Sequence, residues 1–122
     1  MLLIRSSQQA VLEEDQRRAF AQRLFEALAA LRPEAVEARG PAAVREQVRA
    51  GLDRALARGI VSERALWQWA QVVLVHGIAF DSTSWATPLL EPAPRSIDEG
   101  NDRMTALYAE AARHVAGEGE PE

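Results

Sequence analysis

Between Ser62 and Phe80 the chain reads SERALWQWAQVVLVHGIAF, and its apolar positions recur at helical rather than strand spacing. At about 100° per residue, Leu66, Trp69, Ala70, Val73, Gly77 and Phe80 fall on one stripe. Trp67, Leu74 and Ile78 fall on a second, roughly a quarter turn away. Ser62 is a suitable N-cap because its hydroxyl can accept from a free amide of the first turn, and Glu63 suits the positive end of the helix dipole. Only Gln68 and Gln71 interrupt the middle with polar groups. A helix apolar on most sides belongs inside a bundle, and this one lacks the unbroken apolar span that a bilayer requires. The pattern therefore predicts a central apolar helix over residues 62–80.

The flanking segments follow the same period. Ser6 and Gln9 make a capping box, followed to Leu31 by apolar positions at Leu12, Ala19, Phe20, Leu24, Ala27, Leu28 and Leu31. Leu2, Leu3 and Ile4 form an extended apolar lead. Pro33 breaks the helix, and a short one over 33–39 ends at Gly40. Pro41 opens the next, whose inward face is Val44, Val48, Leu52, Ala55 and Leu56, with Gly51 allowing a close neighbour. Gly59 ends it in the left-handed region and Ile60 folds back on the last turn. After Phe80, residues 81–86 read as a polar turn and Thr87 to Glu91 as a single helical turn, and Pro88, Pro92 and Pro94 keep the following stretch irregular. Ser96 and Glu99 form a second capping box for a last helix presenting Ile97, Met104, Leu107, Tyr108, Ala111 and Val115. The predicted fold is all-α, a compact bundle of about four main helices with one or two short helical turns. Residues 1–116 form a single helical domain and 117–122 a disordered acidic tail.

Composition narrows the chemistry. With 122 residues the chain suits one domain. The absence of cysteine removes disulfides and zinc-thiolate sites. All 14 basic residues are arginine, a bias typical of high-GC bacterial genomes, so no single arginine is taken as a chosen ligand on that ground. The N-terminal apolar run is too short for a signal peptide, and a cytoplasmic location follows as the expectation. The net charge is -4, with six arginines against three acids over 39–64 and nine acids against three arginines over 81–122.

Few side chains suggest catalysis. His76 lies within the central apolar helix and fits a structural role, and no G-x-S-x-G elbow supports a nucleophile. His114 follows Glu110 by one turn, an arrangement explained by an ion pair near a helix C-terminus without a metal. The cluster Asp81, Ser82, Thr83 and Ser84 has the composition of a turn. Arg45, Arg49, Arg54 and Arg58 are the best argument for nucleic acid. The helix after the Gly59 turn offers tryptophan and valine rather than groove-reading polar groups, and the acidic balance opposes phosphate binding. No enzyme activity, metal, cofactor, small-molecule substrate or membrane association is expected. The expected partner is a protein, bound by Trp67, Leu74, Ile78 and Trp85 and by the basic face at Arg45 and Arg49.

Several features resemble a group of small helical bacterial proteins encoded beside type VI secretion spike genes, of the VgrG and PAAR types, and their effectors. They are Ile4-Arg5 with Gln9, the junction from Arg58-Gly59-Ile60 to Ser62-Glu63-Arg64, the apolar helix ending at Gly77, Phe80-Asp81, and the turn from Trp85-Ala86 to Leu89-Leu90. The Asp81 to Trp85 loop is richer in serine and threonine than that pattern. The resemblance implies a cytoplasmic adaptor or chaperone that holds an effector or loads it on the spike. The alternatives are an immunity protein that blocks a toxin and, further off, a nucleic-acid-binding helical domain.

Overall fold

The computed structural model describes residues 14–116, and the side chains of Val115 and Ala116 fall outside that description. The apolar lead Leu2 to Ile4, the Ser6–Gln9 capping box, Leu12 and the acidic tail 117–122 therefore lie outside the described residues. Six α-helices follow one another: α1 (Glu14–Leu31), α2 (Pro33–Arg39), α3 (Pro41–Ala57), α4 (Glu63–His76), α5 (Thr87–Leu90) and α6 (Ile97–Ala116), with a 3-10 turn at Phe80–Ser82. Four are long and two short, in an all-α bundle without strands among the described residues, as the periodicity predicts.

The boundaries follow local chemistry. Ser62 Oγ accepts from the Ala65 amide at 3.1 Å and starts α4. Gly59, at φ 87°, ends α3: its amide donates to Leu56 and the Ile60 amide reaches back to the Ala55 carbonyl at 3.0 Å. That paired arrangement satisfies carbonyls the helix would otherwise leave free. Ile60 is fully buried, its side chain reaching towards Gly100 of α6. At α6, Ser96 Oγ accepts from the Glu99 amide at 3.0 Å. The Glu99 carboxylate, however, takes the Arg95 amide rather than that of Ser96.

The central helix is shorter than its apolar run. α4 stops at His76 because Gly77 adopts φ 98°, and Phe80 reaches the core from the following 3-10 turn instead, its ring 4.7 Å from that of Trp69. Leu66, Trp69, Ala70 and Val73 are buried as predicted. α3 packs along one side of α4, so closely that a Cβ on Gly51 would stand 2.9 Å from Val73 Cγ2.

α1 and α6 flank α4 and run in its direction. At the start of α4, Arg23 of α1 holds Glu63 at 3.3 Å and Asn101 of α6 accepts from Ser62 Oγ at 2.6 Å. Towards its end, Leu28 of α1 lines one cavity together with Val72 and Leu74, and Tyr108 of α6 reaches Gln71. The inward faces of the flanking helices are rotated from those predicted. α1 buries Phe20, Ala21, Leu24, Phe25 and Leu28 while Ala19, Ala27 and Leu31 are exposed. α6 buries Met104, Leu107 and Ala111, and Tyr108 stands at the surface.

Candidate protein-docking site

The expected partner surface is not one surface. Leu74 is a core residue, 3% exposed, which overturns its reading as an open anchor. On the helical wheel Trp67 and Leu74 point the same way as Glu63, the residue held by Arg23, so α1 covers that side. Trp67 and Ile78 are half-buried against the core. Trp85 lies on the α6 side: its ring stacks on His114 at 4.7 Å, meets the edge of His76 at 5.2 Å and faces Phe80 at 6.2 Å. Arg45 is exposed on α3, its guanidinium 4.4 Å above the Phe25 ring of α1, and Arg49 is exposed one turn further along. Trp67, Leu74, Trp85 and the two arginines therefore belong to different sides of the bundle.

Arg54 and Arg58 are not available to an outside partner in the way the sequence suggests. Both turn inward to Asp81, whose side chain is 3% exposed. Arg54 donates to Oδ1 from Nη2 at 2.6 Å and from Nε at 3.1 Å, and Arg58 donates to Oδ2 from Nε at 2.9 Å. Asp81 thus anchors the loop after α4 to α3, where its position beside two serines had suggested an ordinary turn. The turn itself is held by Thr83, which donates to the Phe80 carbonyl at 2.7 Å and accepts from the Ala86 amide at 3.3 Å.

The histidines are likewise committed. His76 Nε2 lies 3.1 Å from the Ala111 carbonyl, which can only accept, so that nitrogen carries a proton. His114 Nε2 pairs with Glu110 at 3.1 Å, as the one-turn spacing predicts. Among the described residues no group of three or more histidine or acidic side chains is placed to hold a metal ion.

A different feature stands open. Between the C-terminal halves of α1 and α6, over the last turns of α4, lies a cleft of about 320 Å³. Leu28, Leu31 and Arg32 form one wall, Tyr108, Ala111 and Ala112 the other, and Gln71, Val72, Val75 and His76 the floor, with the otherwise buried Leu74 also reaching its lining. The three large apolar side chains most exposed among the described residues, Leu31 at 53%, Val75 at 42% and Tyr108 at 36%, all lie on it. Its polar groups largely satisfy one another: Tyr108 Oη donates to Gln71 Oε1 at 2.7 Å, and Gln71 Nε2 donates to the Trp67 carbonyl at 3.4 Å. The cleft is apolar, half open and without an acidic lining residue.

Sequence reasoning placed Leu31 and Tyr108 on core faces and gave Val75 no role. The usable signal was Val75 itself. On the wheel it shares a stripe of about 60° with Arg64, Gln68 and Gln71, so it is an apolar residue on the one polar side of an otherwise buried helix. No protein family, curated protein or solved structure matches this chain. No helix of the described residues is long and apolar enough to cross a membrane.

Proposed function

We propose that this chain is a non-enzymatic adaptor or chaperone, acting in the bacterial cytoplasm, that binds a secretion effector or a component of the secretion spike. The observation that carries the reading is the convergence of Leu31, Val75 and Tyr108 on one cleft. Scattered apolar side chains are normal on a surface, whereas a contiguous group around a concavity is characteristic of binding sites. The engagement of His76, His114 and Asp81 in contacts within the fold supports a binding role over a catalytic one. The assignment to secretion rests on the resemblance of the Arg58 to Arg64 junction and the Phe80 to Leu90 segment.

The test is co-purification of the tagged chain with the products of its neighbouring genes, with Val75→Asp as the control variant. An adaptor brings effector and spike component down together, and V75D loses both while retaining its helical circular dichroism. Capture of a toxin alone, with its activity blocked, would replace this reading by an immunity role. Undiminished capture by V75D would remove the cleft from the interaction.

A further inference from the structure

We infer that His114 is a proton-operated latch between the end of α6 and the connection that joins α4 to α5. Its imidazole makes two contacts. Nε2 lies 3.1 Å from Glu110 Oε2, and the ring stacks on Trp85 with centroids 4.7 Å apart and planes 17° from parallel. A carboxylate oxygen only accepts, so Nε2 carries a hydrogen whether the ring is neutral or charged. The second proton therefore enters at Nδ1, which has no hydrogen-bond partner among the described residues, from solvent that reaches a side chain 40% exposed. Charging the ring requires no rearrangement, and both contacts gain from it. The hydrogen bond to Glu110 becomes charge-assisted at both ends, and a cation comes to lie against the negative face of an indole.

The two parts that the latch joins are otherwise separate. Trp85 belongs to a connection whose other end Asp81 fixes to Arg54 and Arg58. Ala111 and Ala112, in the turn before His114, form one wall of the cleft, an open trough over α4. Few charged groups face the ring. On its own helix Glu110 gives one oxygen to His114 and the other to Arg113, whose Nη2 lies 2.7 Å from Oε1. From α4, His76 meets the same indole at 5.2 Å while its Nε2 donates to the Ala111 carbonyl. Asp81 is turned away to the arginines of α3. Histidine is the side chain whose charge changes between about pH 5 and 8, and His76 and His114 are the chain's two, so His76 is the competitor that a test has to separate.

The full chain is compared with its His114→Gln, His76→Gln and Trp85→Phe variants between about pH 7.5 and about pH 5.5, where histidine takes up a proton and ordinary carboxylates stay charged. An imidazolium against an indole accepts an electron from its excited state. Tryptophan emission should therefore fall across the window in wild type and in His76→Gln, and the fall should be missing from Trp85→Phe and His114→Gln. Melting temperatures read the latch itself. The charged ring gains its contacts only in the folded chain, so its contribution is present in acid and fades as pH rises. The excess of wild type over His114→Gln should widen by about 2 °C from the upper pH to the lower, and by less when both proteins also carry Glu110→Gln. An emission change that survives His114→Gln and disappears in His76→Gln puts the proton on the other ring and overturns the inference. A gap that stays constant or narrows towards acid does the same, because the stack would then be indifferent to charge. None of these readouts involves a partner, so the latch stands or falls independently of the adaptor role.

Discussion

Arg54 and Arg58 grip opposite oxygens of one buried carboxylate, Arg54 at Asp81 Oδ1 and Arg58 at Asp81 Oδ2. Arg54 lies in the last turn of α3 and Arg58 just past its end, and Asp81 lies within the connection from α4 to α5, so the cluster ties a loop to a helix far from it in sequence. Removing either arginine leaves Asp81 one cationic partner, and Arg54→Ala and Arg58→Ala should each cost about 1 to 2 kcal/mol. Removing both leaves a buried charge uncompensated. The double variant should therefore lose about 1 kcal/mol more than the sum of the two. Urea denaturation of the four proteins measures this, and strict additivity would show that Asp81 does not depend on them jointly.

Adjacent residues on α4 should respond in opposite ways. Leu74 is packed on the α1 side, and Leu74→Ala should destabilise by about 2 to 5 kcal/mol through lost burial and a residual cavity. Val75 points into the open trough, and Val75→Ser should change stability by no more than about 0.5 kcal/mol. Thermal unfolding followed by circular dichroism decides it. A Val75→Ser loss as large as that of Leu74→Ala would mean that the trough is closed in solution.

Much of the fold is legible because its signals are local. Ser62, Gly40, Gly59 with Ile60, and the prolines at 33 and 41 mark boundaries through the backbone groups they cap or withhold, and each needs only a few residues of context. Periodicity alone carries α4 on to Phe80, because the apolar run continues past Gly77 and periodicity cannot see a change in φ, although the family resemblance already ends the helix at Gly77. The Arg54–Asp81 contact was hidden for another reason: its partners lie 27 residues apart and neither residue type signals the other. At the trough, periodicity identifies the faces of α1 and α6 but not how far each helix is rotated against α4. That rotation places Leu31 and Tyr108 at the edge of the core instead of within it.

The approach of α3 to α4 gives a third expectation. Alanine is a better helix former than glycine by about 1 kcal/mol, yet Gly51→Ala places a methyl group against Val73 Cγ2 at 2.9 Å. Overpacking of this kind costs about 1 to 3 kcal/mol, so the variant should be less stable than wild type. In a Val73→Ala background the obstruction is gone and the same substitution should stabilise. Melting temperatures of the four proteins test the reversal. Destabilisation by Gly51→Ala in both backgrounds would place the conflict elsewhere.

The last expectation concerns acid. Glu99 accepts from the Arg95 amide at 3.0 Å and from Arg103 Nη2 at 2.7 Å. The backbone hydrogen bond from Arg95 first, and the Arg103 side chain after it, hold the carboxyl below its ordinary value of 4.5. A folded pKa below the unfolded one means that the unfolded chain binds more protons as the solution is acidified. The stabilisation is then fully present above the ordinary carboxylate value and fades as pH falls through the depressed folded value. Glu99→Gln, which cannot carry the charge, should be less stable than wild type near neutrality, and the difference should shrink as the pH falls below about 4.5. Urea midpoints of both proteins, taken from about pH 7 to about pH 3, show whether it does. A gap that stays constant across that range would assign the contribution of Glu99 to packing rather than to its charge.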